Sequence, residues 1–192
     1  MRISALKAQA RESLKGNWGM SILVYLVYTA IVSAVSATFI GALIAPVLMF
    51  GVYSFFLIMA RGGEVKIDTM FTDTFANFLK KWGAMLLTAL YTWLWGLLFI
   101  IPGIVKSYAY AMTNYIMLDN PEMSVTDAIK ESQKMMKGYK WKLFCLDLSF
   151  ILWCMLIPFT CGLLSLYVFP LMQASRAQFY KELKEIKANE VA

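Results

Sequence analysis

"FLKKWGAMLL", residues 78–87, places two lysines and a tryptophan at the start of an uncharged run that extends from Trp82 to Val105. An indole at headgroup depth with ammonium groups outside it anchors a helix at a membrane face, so this stretch predicts the beginning of a membrane segment. The pattern recurs. "SLKGNWGMSILVYL" from Ser13 and "MMKGYKWKLFCLDL" from Met135 repeat the order of lysine, tryptophan and apolar run. The three tryptophans, Trp18, Trp82 and Trp141, are separated by 64 and 59 residues. That spacing divides the chain into three approximate repeats of a single membrane domain, 1–62, 63–120 and 121–192.

Composition agrees. Of 192 residues 60% are hydrophobic and 16% charged, and the mean hydropathy is +0.61, values far from those of soluble domains. Met20 to Ala60 carries no charge at all, a run longer than a soluble core needs. A cleaved signal peptide fits poorly, because four basic residues are spread over the first fifteen and the apolar run is too long. The net charge of +6 sits beside the apolar runs. This predicts anionic lipid headgroups as partners and no nucleic acid. Cys145, Cys154 and Cys161 lie in the last apolar region without paired spacing and read as small buried hydrophobes.

Each anchor follows a segment of helical period. Ile3, Leu6, Ala10 and Leu14 share a face, as do Phe71, Phe75, Phe78 and Trp82, and Val125, Ile129 and Met136. Ser124 and Asp127 form a capping box after Pro121. These segments read as amphipathic helices lying in the membrane interface, with short soluble helices between spans as the alternative.

Each anchor precedes an apolar stretch broken near its middle, at Pro46, at Pro102 and Gly103, and at Pro158 and Gly162. A proline inside one membrane helix can be only a kink, but Leu143 to Ser175 covers 33 residues, too many for one span and enough for two short arms. The fold class predicted is an all-α polytopic membrane protein, with about six membrane helices as three hairpins, each preceded by an amphipathic interfacial helix. Every Lys and Arg except Lys106 falls at the termini or between hairpins. By the positive-inside rule the localisation is the cell membrane, multi-pass, with both termini cytoplasmic.

Histidine is absent, which removes the commonest general base and metal ligand, and no nucleotide, hydrolase or metalloprotease motif occurs. No catalytic residue, cofactor or metal is predicted, and the protein reads as a non-enzyme. Asp147 lies inside an apolar run, where an acid costs several kcal/mol at mid-bilayer and less toward the interface. Folding the hairpin about Thr160 brings Gln173 opposite it, with Arg176 less than one turn away. Asp147, Gln173 and Arg176 form a candidate polar cluster, either a structural tie between two helices or a protonatable site on a solute path. "SYAYAMTNYIM", residues 107–117, offers Tyr108, Asn114 and Tyr115 either to a wet cavity or to ordinary interhelical contacts.

The stretch from Ile101 to Leu183 resembles the bacterial integral membrane family labelled domain of unknown function nine-seven-five. The resemblance rests on the Pro-Gly at 102 and 103, Asp-Asn-Pro at 119–121, Met-Lys-Gly at 136–138, Leu-Ser-Phe at 148–150 and Phe-Tyr at 179 and 180. The chain departs from the pattern at Leu152, where a glycine is expected, and at Leu171, where a tyrosine is expected. The resemblance implies a membrane compartment and a helical fold, and no substrate.

Two functions remain. The first is a non-enzymatic protein, oligomeric with itself, whose hairpins and interfacial helices organise membrane lipid or partner proteins. The second is a small transporter or channel with Asp147 as its intramembrane coupling group.

Overall fold

A computed structural model describes residues 3–35, 39–64, 66–75, 77–98, 100–160 and 162–191. The described chain is helical throughout: α1 (Ile3–Leu14), α2 (Trp18–Val35), α3 (Phe39–Ala60), α4 (Ile67–Phe75), α5 (Phe78–Leu98), α6 (Ile100–Tyr110), α7 (Thr113–Asp119), α8 (Val125–Met135), α9 (Lys140–Leu156) and α10 (Ser165–Val191). Among the described residues one helix, α2, is long and apolar enough to cross a membrane, and Val47–Ala60 is a shorter apolar stretch.

The long helix α10 is the hub, packing on α1, α2, α3 and α9, while α5 and α6 lie against each other as a hairpin. Buried aromatics fill the centre. Tyr115 of α7 stacks on Tyr180 of α10 with ring centroids 5.2 Å apart, and Tyr53 of α3 meets Tyr115 at 5.1 Å. The α5–α6 contact depends on small residues. A Cβ placed on Gly103 would stand 2.7 Å from Gly96 Cα and 3.0 Å from Gly96 N, so two glycines let the backbones meet.

The turns follow local chemistry, with one correction. Pro102 is the third residue of α6, where a missing N–H costs no intrahelical bond. Pro158 opens a 3-10 turn, Pro158–Thr160, and Gly162 follows with φ of +82°, a conformation that favours glycine. Pro46, read as a hairpin turn, instead falls inside α3, and the chain passes from α2 to α3 between Val35 and Phe39. Proline in an apolar run marks a turn or an interior helix position equally well. Here the helix continues through it. Pro170 likewise sits inside α10.

The helices ahead of the anchors occur where periodicity places them, but protein covers two of their apolar faces. Leu6, Ala10 and Leu14 of α1 are fully buried, and α1 packs on α10. Ala128, Ile129 and Met135 of α8 are buried as well. Ser124 caps α8 by accepting from the Asp127 N–H at 3.2 Å. These faces therefore do not lie on lipid. An amphipathic pattern reports that a face is covered, and leaves open by what. At the opening stretch Lys81 is turned inward, buried, donating to the Asp73 carbonyl and lying 5.5 Å from the Phe50 ring centre. Its neighbour Lys80 donates to the Pro121 carbonyl at 3.1 Å.

Candidate functional site: a polar cavity at a broken helix

The segment after Pro102 does not run as one helix. α6 ends at Tyr110, Ala111 and Met112 form a turn, and α7 starts at Thr113 without a side-chain cap. A helix end leaves carbonyls without intrahelical partners, and Ser132 of α8 supplies one by donating to the Ala109 carbonyl at 2.8 Å. Interrupted helices surrounded by apolar structure are tolerated where protein or a cavity satisfies the freed groups.

A cavity of about 330 Å³ opens at this break, with walls from α3, α5, α6, α7, α9 and α10. Its polar lining includes Tyr53, Thr88, Tyr108, Asn114, Tyr115, Asp147 and Arg176. Arg176 clamps Asp147 through two hydrogen bonds, Nε to Oδ1 at 3.1 Å and Nη2 to Oδ2 at 2.9 Å. Tyr108 stands close to the Asp147 carboxylate, and Tyr53 close to Asn114. Two lining hydroxyls have no partner, Tyr115 OH and Thr88 Oγ1, although both atoms are buried. A buried hydroxyl left unpaired costs about 1–3 kcal/mol.

Of the predicted cluster, the structure brings Asp147 and Arg176 together. Gln173 is buried at 2% exposure with its Oε1 unpartnered, and it takes no part in the clamp. A guanidinium offers a carboxylate two parallel donors and a full charge, and an amide one turn away does not compete. Tyr108, Asn114 and Tyr115, singled out in the sequence, all line the cavity. The anchors differ in placement: Trp18 stacks on Tyr167 at 5.0 Å, Trp82 is half-buried, and Trp141 is 71% exposed beside Phe144. Lys106 lies over the Trp95 ring at 4.6 Å. Cys154 is exposed and Cys145 half-buried, so neither is the fully buried hydrophobe expected, and Cys161 lies outside the described residues.

A second polar cluster was not anticipated from sequence. At the other end of α7, Asp119 is buried to 6% side-chain exposure and accepts from Arg61 at 2.7 Å, from Tyr180 at 2.9 Å and from Lys184, all on Oδ2. Burial pushes the Asp119 carboxyl up, but donation from Arg61, Lys184 and Tyr180 outweighs it and holds the group below its ordinary value. The network joins the ends of α3 and α7 to α10.

Residues 97–187 match the family model described as protein of unknown function (DUF975). The motifs that carry the resemblance all fall within that stretch. It spans α6 to most of α10 and carries Tyr108, Asn114, Tyr115, Asp147 and Arg176 of the cavity, and Asp119. No curated protein and no solved structure matches the chain.

Proposed function

We propose that the protein is a multi-pass membrane protein of three hairpin units, 1–62, 63–120 and 121–192, with both termini cytoplasmic. In this reading its interior cavity binds a small polar solute, in a binding or transport role and without catalysis. The membrane reading is supported by large apolar side chains that face outward on several helices and at a hairpin tip, among them Trp93, Leu97, Leu152, Met155 and Phe159. A soluble monomer rarely carries so much contiguous apolar surface. The solute reading is carried by one observation, the cavity at the α6–α7 break with its ion pair and two unpartnered hydroxyls. A discontinuous helix next to a buried charged pair is the arrangement used where solutes are held within a bundle.

The test is a thermal-stability screen of the detergent-purified protein against small polar solutes. At least one solute stabilises wild type and fails to stabilise the Thr88→Val/Tyr115→Phe double variant. Stabilisation by none, or stabilisation that survives the double variant, defeats the reading. Single cysteines at Gly16, Gly63, Gly138 and Asn189 in a cysteine-free background, each labelled only from the cytoplasmic side, test the topology.

A second reading, organisation of lipid through self-association, is favoured by Phe75 at 59%, Leu79 at 79% and Trp141 at 71% exposure, near the charged starts of α5 and α9. In that reading anionic headgroups meet the neighbouring lysines. Phe75→Ser with Leu79→Ser then weakens self-association in liposomes while the bundle stays folded. Unchanged association excludes it.

A further inference from the structure

We infer that the cavity binds a small organic monocarboxylate together with one proton. This rests on the solute-binding reading above and specifies its ligand. The first ground is that a guanidinium lines the space: Arg176 and Asp147 both line the cavity, and the Arg176 side chain, at 32% exposure against 17% for Asp147, is the less covered of the pair. The hydroxyls of Tyr115 and Thr88 and the amide of Asn114 all donate hydrogen bonds, which adds to a site already inviting negative charge. The geometry already holds a carboxylate: Asp147 occupies two parallel donors of Arg176, the fork that a second carboxylate would use equally well. The volume of about 330 Å³ and the walls of Met112, Leu143 and tyrosine rings accommodate a short organic tail.

The proton follows from charge balance. Arg176 stays positive under all ordinary conditions, and an interior site tolerates it only with one opposing charge. In the empty site Asp147 provides that charge. When a ligand carboxylate takes the guanidinium, two carboxylates face one cation. Neutrality returns if Asp147 accepts a proton from hydronium or a buffer acid in the solvent, becoming a carboxylic acid while the ligand remains an anion. An O–H bond forms on Asp147 as the bond to that proton breaks in its donor, which leaves as water or the buffer base. The charged and titratable groups around the pair are Arg176 from α10, Tyr108 from α6, Tyr115 from α7 and Tyr53 from α3. From α1, Lys7 reaches the same helix two residues further on, donating to the Ser149 carbonyl at 3.3 Å and lying 4.2 Å from the Phe150 ring centre. Of these, Asp147 alone sits on the guanidinium as a removable negative charge.

The experiment uses the full chain in lipid nanodiscs with sodium butyrate and benzoate as probes, sodium chloride as the salt control and glycerol as the neutral control. Butyrate or benzoate stabilises the protein, one proton is taken up per carboxylate bound in weakly buffered solution, and the apparent affinity rises about tenfold for each unit fall in pH. Asp147→Asn keeps carboxylate binding and loses both proton uptake and pH dependence; Arg176→Gln loses binding. Carboxylate binding to wild type without proton uptake overturns the inference, and that measurement needs no variant. If glycerol stabilises as well as butyrate and still does so in Arg176→Gln, the carboxylate class is wrong while the cavity reading stands. If no solute stabilises wild type, both fall.

Discussion

Two carboxylate clusters flank the two ends of α7, and they are built to opposite plans. At its end Asp119 gathers Arg61, Tyr180 and Lys184 onto one oxygen, a network whose donors come from α10 and from the turn after α3. At its start Asp147 and Arg176 pair beside an open space lined by Tyr115 and Thr88, whose buried hydroxyls have no protein partner. A polar cluster whose groups are all satisfied contributes stability and rigidity, whereas one left incomplete carries a cost that only a ligand or water offsets. The first therefore reads as a structural clasp and the second as a site.

The largest expected effect tests the wall that carries the site. Gly103→Val forces a branched side chain onto the Gly96 backbone, so α5 and α6 must separate. Overpacking against backbone costs about 3 kcal/mol or more. The variant should lose most of its thermal transition in detergent, and a stable, normally melting variant would show that the α5–α6 contact does not hold the cavity wall.

Next comes the clasp. Asp119→Ala leaves three donors without their shared acceptor, and because Arg61 and Lys184 are 40% and 51% exposed they recover part of their hydration. A loss of about 2 kcal/mol is expected, read as a lowered melting temperature, with no change in the solute that stabilises the protein. A change of ligand preference would merge the two clusters into one functional unit and break the comparison.

Much of this was legible in the sequence, for physical reasons that differ by residue. Asp147 stood out because an acid within an apolar run is costly, and Tyr108, Asn114 and Tyr115 because polar groups cluster there without a solvent-facing alternative. The helix break was not legible. Ala111 and Met112 are good helix formers, and what interrupts them is tertiary: the orphan Ala109 carbonyl is taken by Ser132 of another helix. Asp119 is visible in the sequence only as part of the Asp-Asn-Pro at 119–121; its network is not, because charges at the flank of an apolar run are ordinary and nothing local announces that Arg61, 58 residues earlier, will reach it. The stripe of α1 was visible, but Leu6, Ala10 and Leu14 look the same under lipid as under α10.

The clasp should also show itself in pH. Asp119 has its carboxyl held below the ordinary 3.8 by its three donors, against burial. A carboxylate with a lowered native value contributes stability that is fully present above the unfolded value and is lost as pH falls through the native one. Wild type should therefore lose stability on acidification from about pH 4 downward, and Asp119→Asn should lose less over that window while starting from a lower plateau. Parallel acid limbs in the two proteins would remove Asp119 from the account of acid stability.

The smallest effect is the most telling for the contrast. Tyr115→Phe removes a buried hydroxyl that bonds to nothing in the protein and keeps the ring that stacks on Tyr180. Thr88→Val does the same for a second unpartnered oxygen at similar volume. In a finished network such changes cost about 1 kcal/mol each, because a partner is stranded. Here no protein partner is stranded, so each should change the stability of the empty protein by less than about 0.5 kcal/mol, and relief of an unpaired buried group can make the sign favourable. Solute binding should fall in the same variants. A functional group that is neutral for folding and needed for binding is what an incomplete polar cluster predicts. Equal destabilisation of Tyr115→Phe and Asp119→Ala would mean that ordered water already completes the cavity as firmly as side chains complete the clasp, and the distinction between the two ends of α7 would disappear.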